Sequence, residues 1–566
     1  MKQKISLIIT IFIYLSFIYT NQIHVPIDHE VYLFIDRMSI KGHLPRNVNS
    51  TLPLSRHEVK EMLDNIYLEK DKLSIIEKNI LDELLINFSD VNDDYRYYLL
   101  EDNQKVYNSI SSYSNIKNTL RNTFFYDHKQ PEHHFIVYED NDQKLMFDIG
   151  GISRIEVFKK DNRLIYSYSY RLAYQHNKIC LYSDADLYSI IYNKPFRDYP
   201  FEFKGGYPLT RAGFYGYENE MSFEYANSYI EYLSDYGKIS FNVEPIVWGL
   251  GNYPIILSNN TPPFPMISWS KKIGNSQFSF LHGSLHPASS DSIINDLMLS
   301  DKKFLVGHRW EVYLSKKLQL AFTEMLVYGG RDTELYYLFP TIFLWPVQHN
   351  MTSESEDNIL WFFEGQYLLF NDYKIYGTFM LDELRTTEIF NDWIGNRWIA
   401  QVGFQISKTI LSLPTDFEIE FIAARPWAYT HRVPKYGTYT HHGRSLGYKY
   451  GPNSQLISFV NRWWLNSRSS LSIFYEKLIY GQEPIVDIDD GYDFGNDPNH
   501  NYLNANMGKY QYSTKWLIGD IQTNQALTLL YSYQLTNTLK INIQYDYKNL
   551  NNKSFNTTAI QLNIDY

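Results

Sequence analysis

The last two strand-like runs of the chain alternate strictly between apolar and polar residues. The apolar parity of the first run is Leu539, Ile541, Ile543, Tyr545 and Tyr547, and that of the second is Thr558, Ile560, Leu562, Ile564 and Tyr566. Because successive side chains of a strand point to opposite faces, each strand has one face in an apolar medium and one in water. A soluble sandwich shows the same pattern. Its recurrence over roughly four hundred residues favours a mainly β fold, an outer-membrane antiparallel β-barrel.

The first residues have the pattern of an export signal. Lys2 and Lys4 precede an uncharged apolar run from Ile5 to Tyr19. This run is too short and wrongly flanked for a spanning helix, so we expect residues 1–20 to be a cleaved secretory signal. An exported chain without a long apolar helix can cross a membrane only as a closed barrel. We therefore expect the bacterial outer membrane as its location, with outer-membrane lipid and the barrel-assembly machinery as partners.

Composition narrows the function. The 50 Tyr, 34 Phe and 11 Trp among 566 residues suit the aromatic girdles of a membrane barrel. Cys180 is the single cysteine, which excludes a disulfide framework and a thiolate metal cluster. The net charge of −11 argues against nucleic acid as a partner. The acidic run from Asp487 to Asp497 fails the EF-hand order because Gly491 stands at a ligand position. We expect no metal, no cofactor and no catalytic residue.

Residues 21–90 have a helical period and predict a small domain. Asp28 can cap a first helix that Gly42 ends, and two capping boxes, Ser55 with Glu58 and Ser74 with Glu77, precede two more apolar stripes. Such boxes satisfy the free backbone N–H groups at the start of a helix. Three short amphipathic helices are therefore expected.

The remaining chain divides into a polar linker, residues 91–134, and a barrel, residues 135–566. Strand-like runs recur every ten to fifteen residues or so, and we expect about eighteen strands because single-chain bacterial barrels have even numbers. Short turns of such barrels face the periplasm and long loops face outside. The helical domain is accordingly expected in the periplasm.

Several segments of the barrel half resemble the capsule assembly proteins of the Wzi family. In order they are Val247–Phe264 (VWGLGNYPIILSNNTPPF), Gly307–Glu311 (GHRWE) with Phe322–Gly330, Leu338–Pro340 with Phe379–Glu383, Pro426–His431 (PWAYTH), and His441–Gly447 (HHGRSLG) with Gly451–Ser454. The resemblance implies an 18-stranded outer-membrane barrel with periplasmic helices. It further implies a non-enzymatic lectin that holds capsular or surface polysaccharide.

The amino-terminal part resembles half of an S-layer-homology module. The matching elements are Asp28-His29, Asp36-Arg37, Gly42 and the segment Pro53-Leu-Ser-Arg-His-Glu. This resemblance implies contact with the cell wall or a periplasmic plug.

Strand parity assigns charged residues to the barrel interior. The inward set is Arg309, Glu364, Gln366, Lys374, Asp382, Arg397, Gln401, Gln405, Asp416, Glu418 and Glu420. Charges of both signs therefore line the lumen. We interpret them as a structural set, since buried charges are normally neutralised by partners.

His308 and Glu324 stand apart from this set. A hairpin centred near Lys316 places them opposite each other, on the apolar parity of both strands. A carboxylate in the hydrocarbon band costs several kcal/mol. We therefore expect a bulge that turns both residues inward, or a place at the end of the strands, and a structural rather than a catalytic pair.

Aromatic rings beside polar groups are the usual means by which proteins hold sugars. The candidate glycan-binding residues are Trp427, Tyr429, His431, Arg432, Tyr439, His441 and Arg444 in one long connection, with Trp248 and Asn259 in another. The same density would suit a loop packed into the lumen as a plug, and both interpretations stay open.

Three functions follow from these patterns. The first is a barrel lectin for surface polysaccharide. The second is a porin-like pore, favoured by the mixed charges of the lumen. The third is an outer-membrane hydrolase acting on glycan or lipid, for which His308, Glu324 and Asp382 are the candidate residues.

Overall fold

The computed structural model describes residues 22–44, 50–88, 136–140, 143–158, 161–193, 219–287, 302–351, 357–383, 393, 395–482, 495–499, 516–536 and 538–565. The predicted signal segment, the predicted linker, most of the acidic run and Tyr566 lie outside these residues. None of the described helices is long and apolar enough to cross a membrane.

Strands dominate the described chain. They are β1 (Thr51–Leu52), β2 (Ile136–Asp140), β3 (Gln143–Phe158), β4 (Asp161–His176), β5 (Ile179–Tyr192), β6 (Glu220–Ser234), β7 (Gly237–Val243), β8 (Val247–Trp248), β9 (Met266–Ile273), β10 (Ser276–Leu285), β11 (Lys303–Tyr313), β12 (Leu318–Gly329), β13 (Asn358–Phe370), β14 (Tyr373–Glu383), β15 (Arg397–Ile410), β16 (Leu413–Ala424), β17 (Thr440–His441), β18 (Arg444–Ser445), β19 (Ser454–Asn466), β20 (Ser469–Gln482), β21 (Asp520–Thr536), β22 (Leu539–Leu550) and β23 (Lys553–Asp565). The helices are α1 (Val31–Ile40), α2 (Arg56–Tyr67), α3 (Ile75–Asn87), α4 (Leu344–Met351) and α5 (Pro434–Gly437), with 3-10 turns at Lys70–Lys72 and Leu335–Leu338.

Eighteen of the described strands form one closed antiparallel barrel. They are β3–β7, β9–β16 and β19–β23, and the pairing of β23 with β3 closes the circle. β2 pairs with the first residues of β3. The predicted fold and strand number are confirmed.

The barrel wall follows the alternation of the sequence. Outward residues such as Ile155, Phe241, Val402 and Ile560 are exposed apolar side chains. Because the side-chain period of a strand is two, the opposite parity lines the lumen. The wall is therefore apolar towards the membrane.

The two ends of the barrel differ in their connections. At one end, tight turns join pairs such as β4–β5, β11–β12 and β15–β16, and we call it the short-turn end. At the other end, long connections such as residues 244–265 and 425–453 join β7 to β9 and β16 to β19. We call it the long-connection end.

The helices α1–α3 form a helical unit at the short-turn end. The side chain of Ser55 accepts a hydrogen bond from the N–H of Glu58, and that of Ser74 accepts one from the N–H of Glu77. In each pair the glutamate side chain accepts the N–H of the serine in return, so the two predicted capping boxes are confirmed. Asp28 does not cap α1, because the helix begins after Glu30 without a side-chain cap. Val31, Phe34, Val59, Leu63 and Leu81 share one buried apolar core.

The helical unit reaches into the barrel. Its strand β1 pairs with β8, with Thr51 opposite Trp248. Ser50 donates a hydrogen bond of 2.5 Å to Glu311, on the inner wall. The helical unit and the 244–265 connection therefore meet inside the lumen.

The two long connections 244–265 and 425–453 fill the lumen from the other end, and we call them together the plug. They share a buried apolar core with the inner faces of β9–β16, β19 and β20. Its members from the plug include Ile255, Ile256, Tyr429, Tyr439 and Tyr448. The described part of the chain therefore occupies this side of the barrel from one end to the other.

The placement of His308 and Glu324 corrects one prediction. They pair with each other, as the hairpin register predicted, but β11 and β12 continue through them without a bulge. Both side chains stay on the outward face and are nevertheless buried. The connection from β12 to β13 folds back over the outside of the wall, where the start of α4 contacts Glu324. The ring of His308 lies beside those of Phe278 and Phe280.

Candidate functional site

Hydrogen bonds join the two connections of the plug. Tyr429 and Tyr439 donate their hydroxyls to the carbonyls of Ile255 and Ile256, at 2.6 and 2.8 Å. The N–H of Ser258 donates to the carbonyl of Leu446 at 2.8 Å. Since these bonds satisfy tyrosine hydroxyls buried among apolar groups, they fix the relative position of the two connections.

The aromatic candidates of the plug are core residues. Trp427, Tyr429 and Tyr439 are each 0 % exposed, and Trp248 is 5 % exposed. Trp427 and Tyr429 also have positive φ angles, 59° and 70°, which non-glycine residues adopt only when packing holds them there. Of the two interpretations left open by the sequence, the geometry favours the lumen plug for these four rings.

His431 belongs to a basic region of the plug. It is buried, and burial together with the charges of Arg397 and Arg432 lowers the pKa of its imidazole to about 3. The ring is therefore neutral near pH 7. Arg432 is half-buried beside it, and Lys435 is exposed. Arg432 and Lys435 therefore give this part of the plug two cationic side chains.

The β17–β18 hairpin lies beside the end of β10 at the long-connection end, where the N–H of His442 donates to the carbonyl of His286 at 2.9 Å. Its two turn residues, His442 and Gly443, have φ angles of 50° and 76°, the left-handed pair expected of a two-residue type I′ turn. His441 and Arg444 flank the turn and pair with each other. His441 is buried, whereas His442 and Arg444 are half-buried.

Polar groups from neighbouring connections surround the tip of this hairpin. The ring of His286 stacks on that of His442, with 4.7 Å between centroids. Asn260 donates its amide to the carbonyl of Ser445 at 3.0 Å, and Asn499 donates to Gly443 at 2.8 Å. Asn259 is exposed next to Asn260. We call His286, His442, Arg444, Asn259 and Asn260 the histidine surface.

Sequence reasoning missed His286 and Asn499. Both come from connections far from the hairpin along the chain: His286 begins one irregular segment of the sequence, residues 286–301, and Asn499 lies within another, residues 484–506. No local pattern brings such segments together, because their contact depends on how the plug packs.

Several charged residues of the lumen contact one another, a tyrosine or the backbone of the plug. Arg309 donates to Glu364 at 2.6 Å and to Glu311 at 3.2 Å. The hydroxyl oxygen of Tyr376 lies 2.5 and 2.6 Å from carboxyl oxygens of Glu418 and Glu420. Arg397 lies 3.6 Å from Asp382, which also accepts the N–H of Tyr429. Asp382 therefore ties the plug to the wall, whereas the first two groups join strands of the wall to one another.

A cavity of about 380 Å³ lies between the helical unit and strands β7, β9 and β10. Trp248 lines it, with His57, Glu58 and Lys238. Ser240 Oγ and Asn242 Oδ1 are buried beside it and have no hydrogen-bond partner among the described residues. Polar cavities of this kind hold ordered water or a hydroxylated ligand.

The described residues contain no group of three or more His, Cys, Asp or Glu side chains placed to hold a metal ion. His308 and Glu324 lie outside the barrel wall, whereas Asp382 lies within the lumen. The three candidate residues of a hydrolase therefore do not share a site.

Comparisons with known proteins agree with this architecture. Wzi of Escherichia coli, an outer-membrane protein involved in group 1 capsule assembly and described as a carbohydrate-binding β-barrel, has a similar structure, with a TM-score of 0.56 and 14 % identity. The match covers 96 % of this chain and 99 % of that one. OccAB2 of Acinetobacter baumannii matches with a TM-score of 0.42 and 11 % identity, over 77 % of this chain and 99 % of that one. No match was found among curated protein sequences.

The family comparison is more specific. The family model for capsule assembly protein Wzi matches residues 158–488, more than half of the chain. This span includes both connections of the plug and the hairpin tip of the histidine surface. The chain therefore belongs to the Wzi family of capsule assembly proteins, which are outer-membrane β-barrels.

Proposed function

We propose that this protein is a non-enzymatic barrel lectin that binds capsular or surface polysaccharide at its long-connection end. One observation carries the proposal: the helical unit and the plug occupy the lumen beside β9–β16, β19 and β20 from one end to the other, while a polar surface lies on the plug at the long-connection end. A lumen obstructed in this way favours binding over passage. Family membership and the likeness to a carbohydrate-binding barrel support it.

The orientation follows the general rule for such barrels. Short turns face the periplasm and long loops face outside, so the histidine surface points away from the cell. The helical unit then lies in the periplasm, at the short-turn end. In this orientation the candidate glycan-binding surface meets polysaccharide on the outer side of the membrane.

The histidine surface has the chemistry that a sugar requires. The stacked rings of His286 and His442 offer a flat face to the C–H groups of a pyranose. The amides of Asn259 and Asn260 and the guanidinium of Arg444 offer hydrogen bonds to hydroxyl and carboxylate groups. Arg432 and Lys435 lie in the same connection and favour an anionic polysaccharide.

A pore is the weaker alternative. The paired charges of the lumen suit a pore wall, but they bind the plug and each other, as Arg309 does with Glu364. A hydrolase is weaker still, since His308 and Glu324 are separated from Asp382 by the barrel wall. We therefore retain the lectin as the best-supported function.

Retention of surface polysaccharide by cells tests the proposal. The double variant His442→Ala with Arg444→Gln should shed polysaccharide into the medium while the barrel reaches the membrane in normal amounts. Lys316→Gln is the matched control, because Lys316 is an exposed cation at the short-turn end. Equal shedding by the double variant, the control and the wild type would contradict a binding role for the histidine surface.

Two further partners belong to the proposal. The exposed apolar belt of the barrel suits outer-membrane lipid, and an 18-stranded barrel requires the barrel-assembly machinery for insertion. Failure of a variant to insert is therefore recognised separately, as loss of heat-modifiable migration on gels.

A further inference from the structure

The connection between β12 and β13 lies on the outside of the barrel. We call residues 330–351 the strap. Its inner face packs on outward side chains of the wall and forms a buried apolar cluster. The members from the wall are Phe280, Val306, Leu326 and Tyr328, and those from the strap are Tyr337 and Leu344.

The other face of the strap is strongly apolar and exposed. Leu335, Phe339 and Phe343 are 72 %, 60 % and 75 % exposed, and Tyr336 and Trp345 are about half exposed. These five side chains lie within eleven consecutive residues. Five large apolar side chains exposed side by side are rare on the surface of soluble proteins, and such a patch marks contact with an apolar partner.

The strap covers the part of the wall that lies within the membrane. β11, β12 and β13 contain 11, 12 and 13 residues, close to the roughly 9–11 residues that a membrane-spanning strand needs. Glu324, which contacts the strap, is the sixth residue from the end of β12. The strap therefore dips to about the middle of the wall.

The carboxylate of Glu324 beneath the strap has polar partners, as a charged group within the membrane needs. Glu324 accepts hydrogen bonds from the N–H groups of Leu344 and Trp345, at 3.0 and 3.2 Å. It also accepts one from Nε1 of Trp361 at 3.2 Å. The start of α4 thus caps a carboxylate that would otherwise face the hydrocarbon, where each unsatisfied polar group costs several kcal/mol.

The charged residues at the edges of the strap are paired in the same way. Arg331 donates two hydrogen bonds of 2.7 Å to the carboxylate of Asp357. Tyr337 donates its hydroxyl to the same carboxylate at 2.7 Å. These hydrogen bonds give Arg331, Asp357 and Tyr337 polar partners at the edge of the strap.

We propose that the strap is immersed in the lipid leaflet at the long-connection end and that its outer face binds lipid acyl chains. The face continues the apolar belt of the same strands, where Trp310, Leu320 and Phe363 are exposed. Aromatic residues such as Tyr336 and Trp345 are also the type enriched at membrane interfaces. This inference goes beyond glycan binding and does not depend on it.

Spin labelling in vesicles tests the proposal. In the Cys180→Ser background, the variants Phe343→Cys and Leu335→Cys are labelled with a nitroxide and reconstituted in phosphatidylcholine–phosphatidylglycerol vesicles. A label at Phe363→Cys is the reference for contact with lipid, because Phe363 lies in the apolar belt. A label at Leu68→Cys is the reference for contact with water, because Leu68 on the helical unit is 82 % exposed. Heat-modifiable migration on gels first shows which labelled barrels are folded. Two strap positions are labelled so that the test still stands if one of the two variants does not fold.

The two outcomes are distinct. Strap labels should collide with oxygen about as often as the Phe363 label does, and should be shielded from a water-soluble nickel complex. A nickel collision rate equal to that of the Leu68 label would overturn the proposal, since the strap would then lie in water. Shielding from both reagents would also overturn it, because a second protein copy rather than lipid would cover the face.

Discussion

Arg37 on α1 and Glu77 on α3 form an ion pair, with 2.8 Å between Nε and Oε1, that is almost completely buried against the barrel. The same guanidinium donates to Asp416 at 2.5 Å and to the carbonyl of Lys408 at 3.1 Å, at the β15–β16 hairpin. One side chain therefore joins two helices to the short-turn end. Because a buried ion left without its partner is costly, the pair decides whether the helical unit stays docked.

Replacing Arg37 by Ala should release the helical unit. Loss of one partner of a buried pair destabilises by about 3–5 kcal/mol, and this loss falls on the contact between α1, α3 and the β15–β16 hairpin. Limited proteolysis of the purified barrel should then cleave between α1 and α3 much faster than in the wild type. Lys72→Ala is the control, because Lys72 is 66 % exposed, and it should leave the cleavage rate unchanged. A rate for Arg37→Ala equal to the control would contradict the docking role.

Acid should weaken the same contact. Burial opposes ionisation of Glu77, but Arg37 and Lys41 outweigh it and lower the pKa of this carboxyl to about 2. Because the pKa of Glu77 is lower in the folded than in the unfolded state, its ionised form stabilises the folded state fully at pH values above the unfolded pKa of about 4.3. This contribution disappears as the pH falls towards 2. Protection of the helical unit against an acid-stable protease should therefore decline between about pH 4 and pH 2. Protection that is constant over this range would be inconsistent with the pair.

Trp427 should matter for the plug rather than for direct sugar contact. It is completely buried, and its backbone N–H donates to Gly495. Truncation to Ala removes a large core ring, a change that costs about 3–5 kcal/mol in well-packed sites. We expect an intact barrel that opens transiently in planar bilayers, whereas the wild type lacks stable open steps. Stable open steps in the wild type would contradict a lumen that the plug closes to ions.

The sequence was informative wherever the structure repeats locally. The pairing of His308 with Glu324 follows from the hairpin centre at Lys316, because parity and turn length fix the register. The capping boxes at Ser55 and Ser74 are equally local. The hydrogen bonds that form these features join residues within one hairpin or one helical turn, so no distant segment is needed.

The sequence was less informative where distant segments meet. Nothing in residues 330–351 indicates that they fold over the outer wall, so the burial of Glu324 outside the barrel was not predicted. The burial of Trp427 and Tyr429 likewise depends on the 244–265 connection, which supplies the carbonyl that Tyr429 bonds. Packing between connections decides both cases.

Salt should reveal the charge of the polysaccharide. The double variant Arg432→Gln with Arg444→Gln removes two cations from the plug connection. If the bound polysaccharide is anionic, affinity should fall in this variant and its dependence on salt should flatten, since screening acts on the lost charges. Binding measured between low and high ionic strength tests this. A salt dependence equal to that of the wild type would place the anionic contacts elsewhere.

Binding of the purified barrel to a glycan array tests the central claim most directly. The wild type should bind one or a few surface polysaccharides, and His442→Ala with Arg444→Gln should bind the same glycans at least about tenfold more weakly, a difference of about 1.4 kcal/mol. Lys316→Gln should bind like the wild type. Absence of binding by a folded wild-type barrel would contradict the lectin function, and equal binding by all three would move the site away from the histidine surface, with the cavity beside Trp248 as the next candidate.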